Sequence, residues 1–211
     1  TDYLGRDLLA GIIYGRRATL IVGAAAALIT IVIGILVGAL AGYYRGWVEE
    51  LLMRITEFFQ VLPPLLLAMG LGLLFSPTAM IIAQVTLITP IIAALTRQST
   101  EDLWNEYSEH LRSIGSSPIQ IVGTLLWDNR FTLITTVLAG FGRASAEVGA
   151  VMIVGGNIDH VTRVMTTSIA LETSKGDLAL ALGLGIILLV LALSVNAAAF
   201  LIGEAAMKRH G

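Results

Sequence analysis

ATLIVGAAAALITIVIGILVGALAG, residues 18–42, carries no charged side chain, and none occurs anywhere between Arg17 and Arg45. At about 1.5 Å of rise per residue, a helix over this stretch is long enough to cross a hydrocarbon core of about 30 Å. The surrounding chain has the same character: of 211 residues, 56% are hydrophobic and 13% charged, against about 25% charged in an average soluble domain. A water-soluble core of this size would leave large apolar patches exposed. The excess therefore faces lipid, and the chain reads as one all-α membrane domain.

Outward from this first span, the next charge-free run is residues 58–96. It is too long for one crossing and is punctuated at Ser76-Pro77, where a helix loses a donor and meets the proline ring. It reads as a hairpin of two spans, about 58–75 and 78–96, with Pro63-Pro64 and Pro90 as kinks. Residues 97–130 form the one long polar stretch. Its charges and the breaker Gly115-Ser116-Ser117-Pro118 predict two short helices outside the bilayer core. A fourth span follows at about 131–155 and a fifth at 178–203, giving five spans with the two ends on opposite sides.

Lys and Arg concentrate in cytoplasmic loops. Placing the N-terminus outside and the C-terminus inside puts seven of them in the inside segments 43–57, 97–130 and 204–211, against five outside. This orientation places the long polar loop and the 204–211 tail in the cytoplasm. In residues 1–17, Leu4, Leu8, Leu9, Ile12 and Ile13 share a helical face away from Asp2, Arg6 and Arg16, as in an interfacial helix. The positive charges follow the apolar residues, unlike a signal peptide, and the missing initiator Met suggests an absent N-terminal segment.

The net charge of −2 and the scattered Lys and Arg offer no basic surface for nucleic acid. There is no cysteine, and His110, His160 and His210 stand alone, so no metal-ligand spacing exists. Neither a catalytic dyad nor a phosphate-binding Gly-Lys-Ser or Gly-Lys-Thr loop is present, which excludes an ATPase site in this chain. Energised work would have to draw on a partner or an ion gradient.

Four groups of residues carry functional information. Arg143 and Glu147, four apart inside a span, can neutralise one another and should face protein or a water-filled path; they read either as a gate or as a structural pair. Thr132, Thr135 and Thr136 in the fourth span, with Gln84, Thr86 and Thr89 in the third, are candidate pore-lining groups, although a threonine in a helix commonly bonds its own backbone. Gly34, Gly38 and Gly42 form a small-residue row for close helix packing, within the chain or across a dimer seam. The 97–130 loop offers a grip for a partner in the form of short helices laid into a groove.

From about Phe75 onward, SPTAMIIAQ (76–84), VLAGFGRASAEVGA (137–150), VGGNI (154–158) and RVMTTSIALETSKGD (163–177) resemble the tungstate and molybdate permease subunits of ABC importers. TDYLGRD (1–7), IYGR (13–16) and AGYYRGWV (41–48) resemble dipeptide and oligopeptide permeases. A natural recombinant, a designed sequence or a fused gene model would each join the two. Both resemblances imply the ABC importer permease (MetI-like) fold in the inner membrane of a prokaryote. They imply a permease homodimer, two separate subunits that use ATP and Mg, no cofactor on this chain, and an external binding protein that faces Gly156, Asn157 and Arg163. In the family's cytoplasmic coupling motif of Glu-Ala-Ala, three residues and Gly, aligned on Gly115, Glu109 matches while His110 and Leu111 replace the alanines. The expected function is import of an oxyanion, tungstate or molybdate. The rivals are peptide import and an ATPase-independent channel or secondary transporter gated by Arg143 and Glu147.

Overall fold

The computed structural model describes the backbone of residues 8–159 and 161–210, and the side chains of residues 22–201 apart from His160 and Ala199. Among the described residues the chain is helical throughout: α1 (Leu8–Tyr44), α2 (Gly46–Val61), α3 (Pro64–Gly70), α4 (Pro77–Ser113), α5 (Pro118–Asp128), α6 (Arg130–Ser145), α7 (Gly149–Gly155), α8 (Met165–Lys175) and α9 (Leu178–His210). Three helices are long and apolar enough to cross a membrane, and five spans result if the bent pairs α2–α3 and α6–α7 each count as one.

Local chemistry explains most boundaries. Ser76 caps α4, its hydroxyl accepting the Ala79 N–H at 3.2 Å, and Pro77 takes the first helical position, where no donor is needed. Pro118 starts α5 in the same way, behind Ser117, whose N–H donates to Gln120 Oε1 at 2.9 Å. Gly115, Gly156 and Gly176 have φ of 69°, 70° and 84°, the left-handed conformation that ends a helix. In α9, Asp177 Oδ1 accepts the Leu180 N–H of the first turn.

Several expectations are revised. No break at Arg17 separates an N-terminal helix from the first span, because Leu8–Tyr44 is one helix; the apolar face expected of residues 1–17 lies outside the described side chains. The expected second span is two helices meeting at 87° around Pro63, and α2 begins as early as Gly46. Pro63 and Pro64 stop the helix because the residue before a proline is pushed out of the α region. Pro90, by contrast, lies inside an unbroken α4. The fourth span is likewise two helices, bent by 54° between Ser145 and Gly149. The polar loop holds only one separate short helix, since its first arm is the end of α4.

The chain forms two compact units. The first comprises residues 1–27, 62–85 and 142–194. Its core contains Val22, Met80, Val151 and Val164, with a neighbouring cluster of Ala68, Ala79, Ala83 and Val154. Gly155 lies against Met80 and Gly156 beneath the Phe75 ring, too close for a Cβ in either place. The Phe75 N–H donates to Val154 O at 2.8 Å, tying the start of α4 to the end of α7.

The second unit comprises residues 28–61, 86–141 and 195–211. Here Gly34, Gly38 and Gly42 of α1 lie on α4, against Ile92, Ala93 with Thr96, and the Arg97 carbonyl with Thr100. Gly140 of α6 admits Ile92 in the same way. With lipid as the alternative surroundings, such contacts hold helices together through close van der Waals packing rather than through expulsion of water. Trp104, Leu111, Ile121 and Leu125 form a further core with Tyr43 and Leu103.

Candidate functional site

In the first unit, the bend between α6 and α7 brings the charge pair of Arg143 and Glu147 to its position. Arg143 is in the last turn of α6 and Glu147 in the bend, and Arg143 Nη1 lies 3.0 Å from Glu147 Oε2. The other carboxylate oxygen accepts the Ala150 N–H of α7 at 3.1 Å. The Glu147 carbonyl accepts the hydroxyl of Thr166 on α8 at 3.3 Å. Glu147 is therefore tied to three elements and only 12% exposed, whereas 46% of the Arg143 side chain is exposed. A guanidinium has five donors. This arrangement holds the guanidinium in an ion pair and leaves nearly half of the side chain exposed.

Also in the first unit, Gly156, Asn157 and Arg163 share one tight loop. Thr162 donates its hydroxyl to Gly155 O at 2.5 Å and accepts the Ile158 N–H at 2.8 Å. Arg163 pairs with Asp159 at 2.9 Å and donates to Asn157 O at 3.5 Å. Asn157 adopts φ of 50°, continuing the left-handed turn begun at Gly156. Ile158 and Val161 of this loop are exposed.

The threonine candidates of α4 and α6 belong to the second unit. Thr136 is buried and donates to Thr132 O at 3.2 Å, and Thr135 donates to Phe131 O at 3.5 Å. Both thus bond their own helix, while Thr132 is exposed. Thr89 is buried, and its hydroxyl has no partner among the described residues. The buried amide oxygen of Gln84, in the first unit, has none either.

The coupling-loop candidates, also in the second unit, divide by face. Glu109 and His110 are exposed, but Leu111 is buried on Trp104, Ile121 and Leu125. Leu111 thus packs α4 against α5 and presents no side chain outward. Gly115 makes the turn: its N–H donates to Arg112 O at 3.1 Å and that of Ser116 to Leu111 O at 3.4 Å. The outward apolar side chains are ones the sequence reading passed over, namely Ile114, Ile119 at 86% exposure and Trp127 at 67%. Arg130 lies 5.1 Å from the Trp127 ring centre and donates to the Trp127 carbonyl at 2.7 Å. A helical period with Ile121 and Leu125 inside would have put Ile119 outside, so this signal was available.

Arg45, Glu49, Arg97 and Glu101 form a connected set of ion pairs between the α1–α2 corner and α4. In the sequence they stand as two pairs of opposite charge four residues apart, a spacing that reads as ordinary surface pairing within a helix.

The family profile described as binding-protein-dependent transport system inner membrane component matches residues 34–205. A tungstate uptake system permease protein of Peptoclostridium acidaminophilum is 35% identical over 190 residues, covering 86% of this chain and 83% of its own. One of Campylobacter jejuni is 44% identical over 108 residues, 51% of this chain and 45% of its own length. A di/tripeptide transport system permease protein of Pseudomonas aeruginosa is 31% identical over 176 residues, 81% of this chain and 57% of that protein. The chain thus spans less than two thirds of two of these relatives. The Peptoclostridium and Pseudomonas matches each cover more than four fifths of the chain, so the chain carries both the tungstate and the peptide likeness, and the two overlap along it.

Proposed function

The chain belongs to the family of inner membrane components of binding-protein-dependent transport systems, and from that premise we propose that it is the permease of an ABC importer for a tetrahedral oxyanion, tungstate or molybdate. The observation that carries the cargo is the 35% identity to a tungstate permease over 86% of this chain and 83% of the relative. The Arg143 side chain, 46% exposed and steadied by Glu147 at the α6–α7 bend, supports it. Such a group can offer several N–H donors to a doubly charged anion without leaving a bare carboxylate on the path.

In this reading the permease works as a two-fold dimer, so each path residue occurs twice around one route. The N-terminus is outside and the C-terminus inside; the Gly156–Asn157–Arg163 loop faces an external binding protein, and residues 97–130 face the cytoplasm. Two ATPase subunits grip the turn at Gly115 and the outward residues Ile114, Ile119 and Trp127. ATP and Mg act there and not on this chain. Their closure displaces the coupling loop, and rigid-body rotation of the spans moves the opening from one side to the other. Peptide import is the second reading, favoured by the likeness to the di/tripeptide permease.

The test is uptake of tungstate, molybdate and a labelled dipeptide in cells making this chain with the ATPase and binding protein of a tungstate system, with and without Gly115→Pro. Gly115 has φ of 69°, which proline cannot adopt. Tungstate uptake that the substitution abolishes is the expected result. Dipeptide uptake would replace the cargo, and oxyanion flux indifferent to the ATPase would replace the mechanism with a channel or secondary transporter.

A further inference from the structure

The ionic set of the second unit has no part in the sites above, and its geometry is specific. Arg45 Nη2 lies 2.7 Å from Glu101 Oε1, and Arg97 Nη1 lies 3.3 Å from Glu101 Oε2. Arg97 also pairs with Glu49. Four charges thus run Arg45, Glu101, Arg97, Glu49, alternating in sign, from the end of α1 through α4 to the first turns of α2. All four side chains are partly buried. Arg45 itself has φ of 52°, followed by Gly46 at 60°. A non-glycine residue rarely adopts that conformation, and here the bond to Glu101 holds it.

What these pairs connect is uneven. The end of α1 is already fixed to α4, because Gly42 touches the Arg97 carbonyl and Thr100, and the Tyr43 ring meets Trp104 edge-on at 4.9 Å. Helix α2 is not so fixed: Thr56 is its one buried residue, and Trp47, Leu51, Ile55, Phe58 and Val61 are all exposed. Its attachment therefore rests on a narrow half-buried face of Val48, Leu52 and Met53 around Thr56, on the corner at Arg45-Gly46 and on Glu49. On the other side, α4 runs without interruption from Arg97 and Glu101 to Ser113. Asn129, just beyond α5, donates to Ser99 at 2.6 Å, between those two charges.

We propose that Arg45, Glu49, Arg97 and Glu101 are positioning residues for the transport cycle. They make the α1–α2 corner and the start of α2 travel with α4 when the coupling loop is displaced. Without them α2 pivots at the left-handed corner and the displacement stops at α4. This rests on the reading that ATPase subunits drive the chain.

The experiment uses the full complex of permease, ATPase subunits and binding protein in liposomes, with tungstate as the transported probe. It records assembly, ATP hydrolysis with and without loaded binding protein, and tungstate taken up per ATP. Glu49→Gln and Glu101→Gln remove charge at nearly constant shape. The pair Glu49→Arg with Arg97→Glu re-forms the Glu49–Arg97 contact in reverse and keeps Arg45–Glu101, but gives up Arg97–Glu101 and sets like charges four residues apart at 45 and 49 and at 97 and 101. The two Gln variants are expected to assemble and hydrolyse ATP, but to lose the stimulation by loaded binding protein and about tenfold in tungstate per ATP, within the usual range of coupling between sites. The reversed pair is expected to regain part of what Arg97→Glu alone loses, because one of the three contacts is restored against two new like-charge neighbours. An unchanged ratio in both Gln variants, loss of assembly in place of loss of coupling, or a reversed pair no better than Arg97→Glu overturns the proposal. If the charge reversals fail to assemble, the Gln variants decide. Wild-type uptake indifferent to the ATPase overturns the importer reading as well, and is scored before any variant.

Discussion

Glu147 uses its two carboxylate oxygens differently, one for Arg143 and one for the first turn of α7. That distinction shapes the test of the pair. Arg143→Ala leaves a carboxylate that is only 12% exposed without its partner, a loss of about 1–3 kcal/mol. Adding Glu147→Gln removes the charge and retains an oxygen for the Ala150 N–H. The double variant is expected to recover the assembled protein but not tungstate uptake, measured by complex yield beside transport. Full recovery of uptake would make the pair structural only. The glycines allow a cleaner stability prediction. A Cβ at Gly38 would collide with the Ala93 carbonyl, whereas one at Gly23 meets nothing within 4 Å. Gly38→Ala is therefore expected to cost about 1–3 kcal/mol through overpacking against backbone, and Gly23→Ala close to nothing, both read as shifts in thermal midpoint. The importance of Gly34, Gly38 and Gly42 was legible from their spacing. That of Gly140 and Gly155 was not, because each stands apart from any periodic row and is defined only by the Ile92 or Met80 that fills its place.

Helix α4 is the element on which the coupling argument turns. Its 37 residues extend about 55 Å, well beyond the ~30 Å hydrocarbon core, so the apolar span and the polar arm 97–113 are one rod. Charge content marked a boundary at Arg97, but helix formation does not stop where polarity changes. Residues 97–113 contain no proline or glycine to end the helix, and continue it on the Trp104 and Leu111 face. Continuity predicts a specific failure. Tyr107→Pro, at a partly exposed position in the arm, removes a backbone hydrogen bond and clashes with the preceding turn, at about 3 kcal/mol. Uptake is expected to fall with it while the apolar part of α4 still inserts, checked by membrane yield against transport. The bends at Pro63 and at residues 145–149 follow the opposite logic. The prolines of the first were readable, although the 87° angle was not. The second has no proline, and its position depends on Glu147 holding α7 and Thr166 from outside the helix.

For the molecule as a whole, the distribution of apolar surface separates the spans by role. Half of the most apolar window of α4 is buried inside the chain, against 6% for α9, so α4 is central to its own chain while α9 turns Leu182, Ile186, Leu189 and Leu193 outward. A path that binds a tetrahedral dianion through a guanidinium should accept others of like shape and charge. Excess molybdate is therefore expected to compete with tungstate uptake, and a dipeptide is not; competition in the reverse sense would favour the peptide reading. The sequence by itself determined that this is a helical membrane permease, and which two opposite charges stand four residues apart in the apolar stretch 131–155. Those properties depend on composition, short motifs and spacing along one helix, all local in the chain. Only the tertiary structure decided that Leu111 faces inward, that the polar arm 97–113 is the end of α4, and that Arg45, Glu49, Arg97 and Glu101 are one connected set. The physical reason is that these depend on which surfaces meet across some fifty residues of chain, where Arg45 finds Glu101 rather than the Glu49 one turn away.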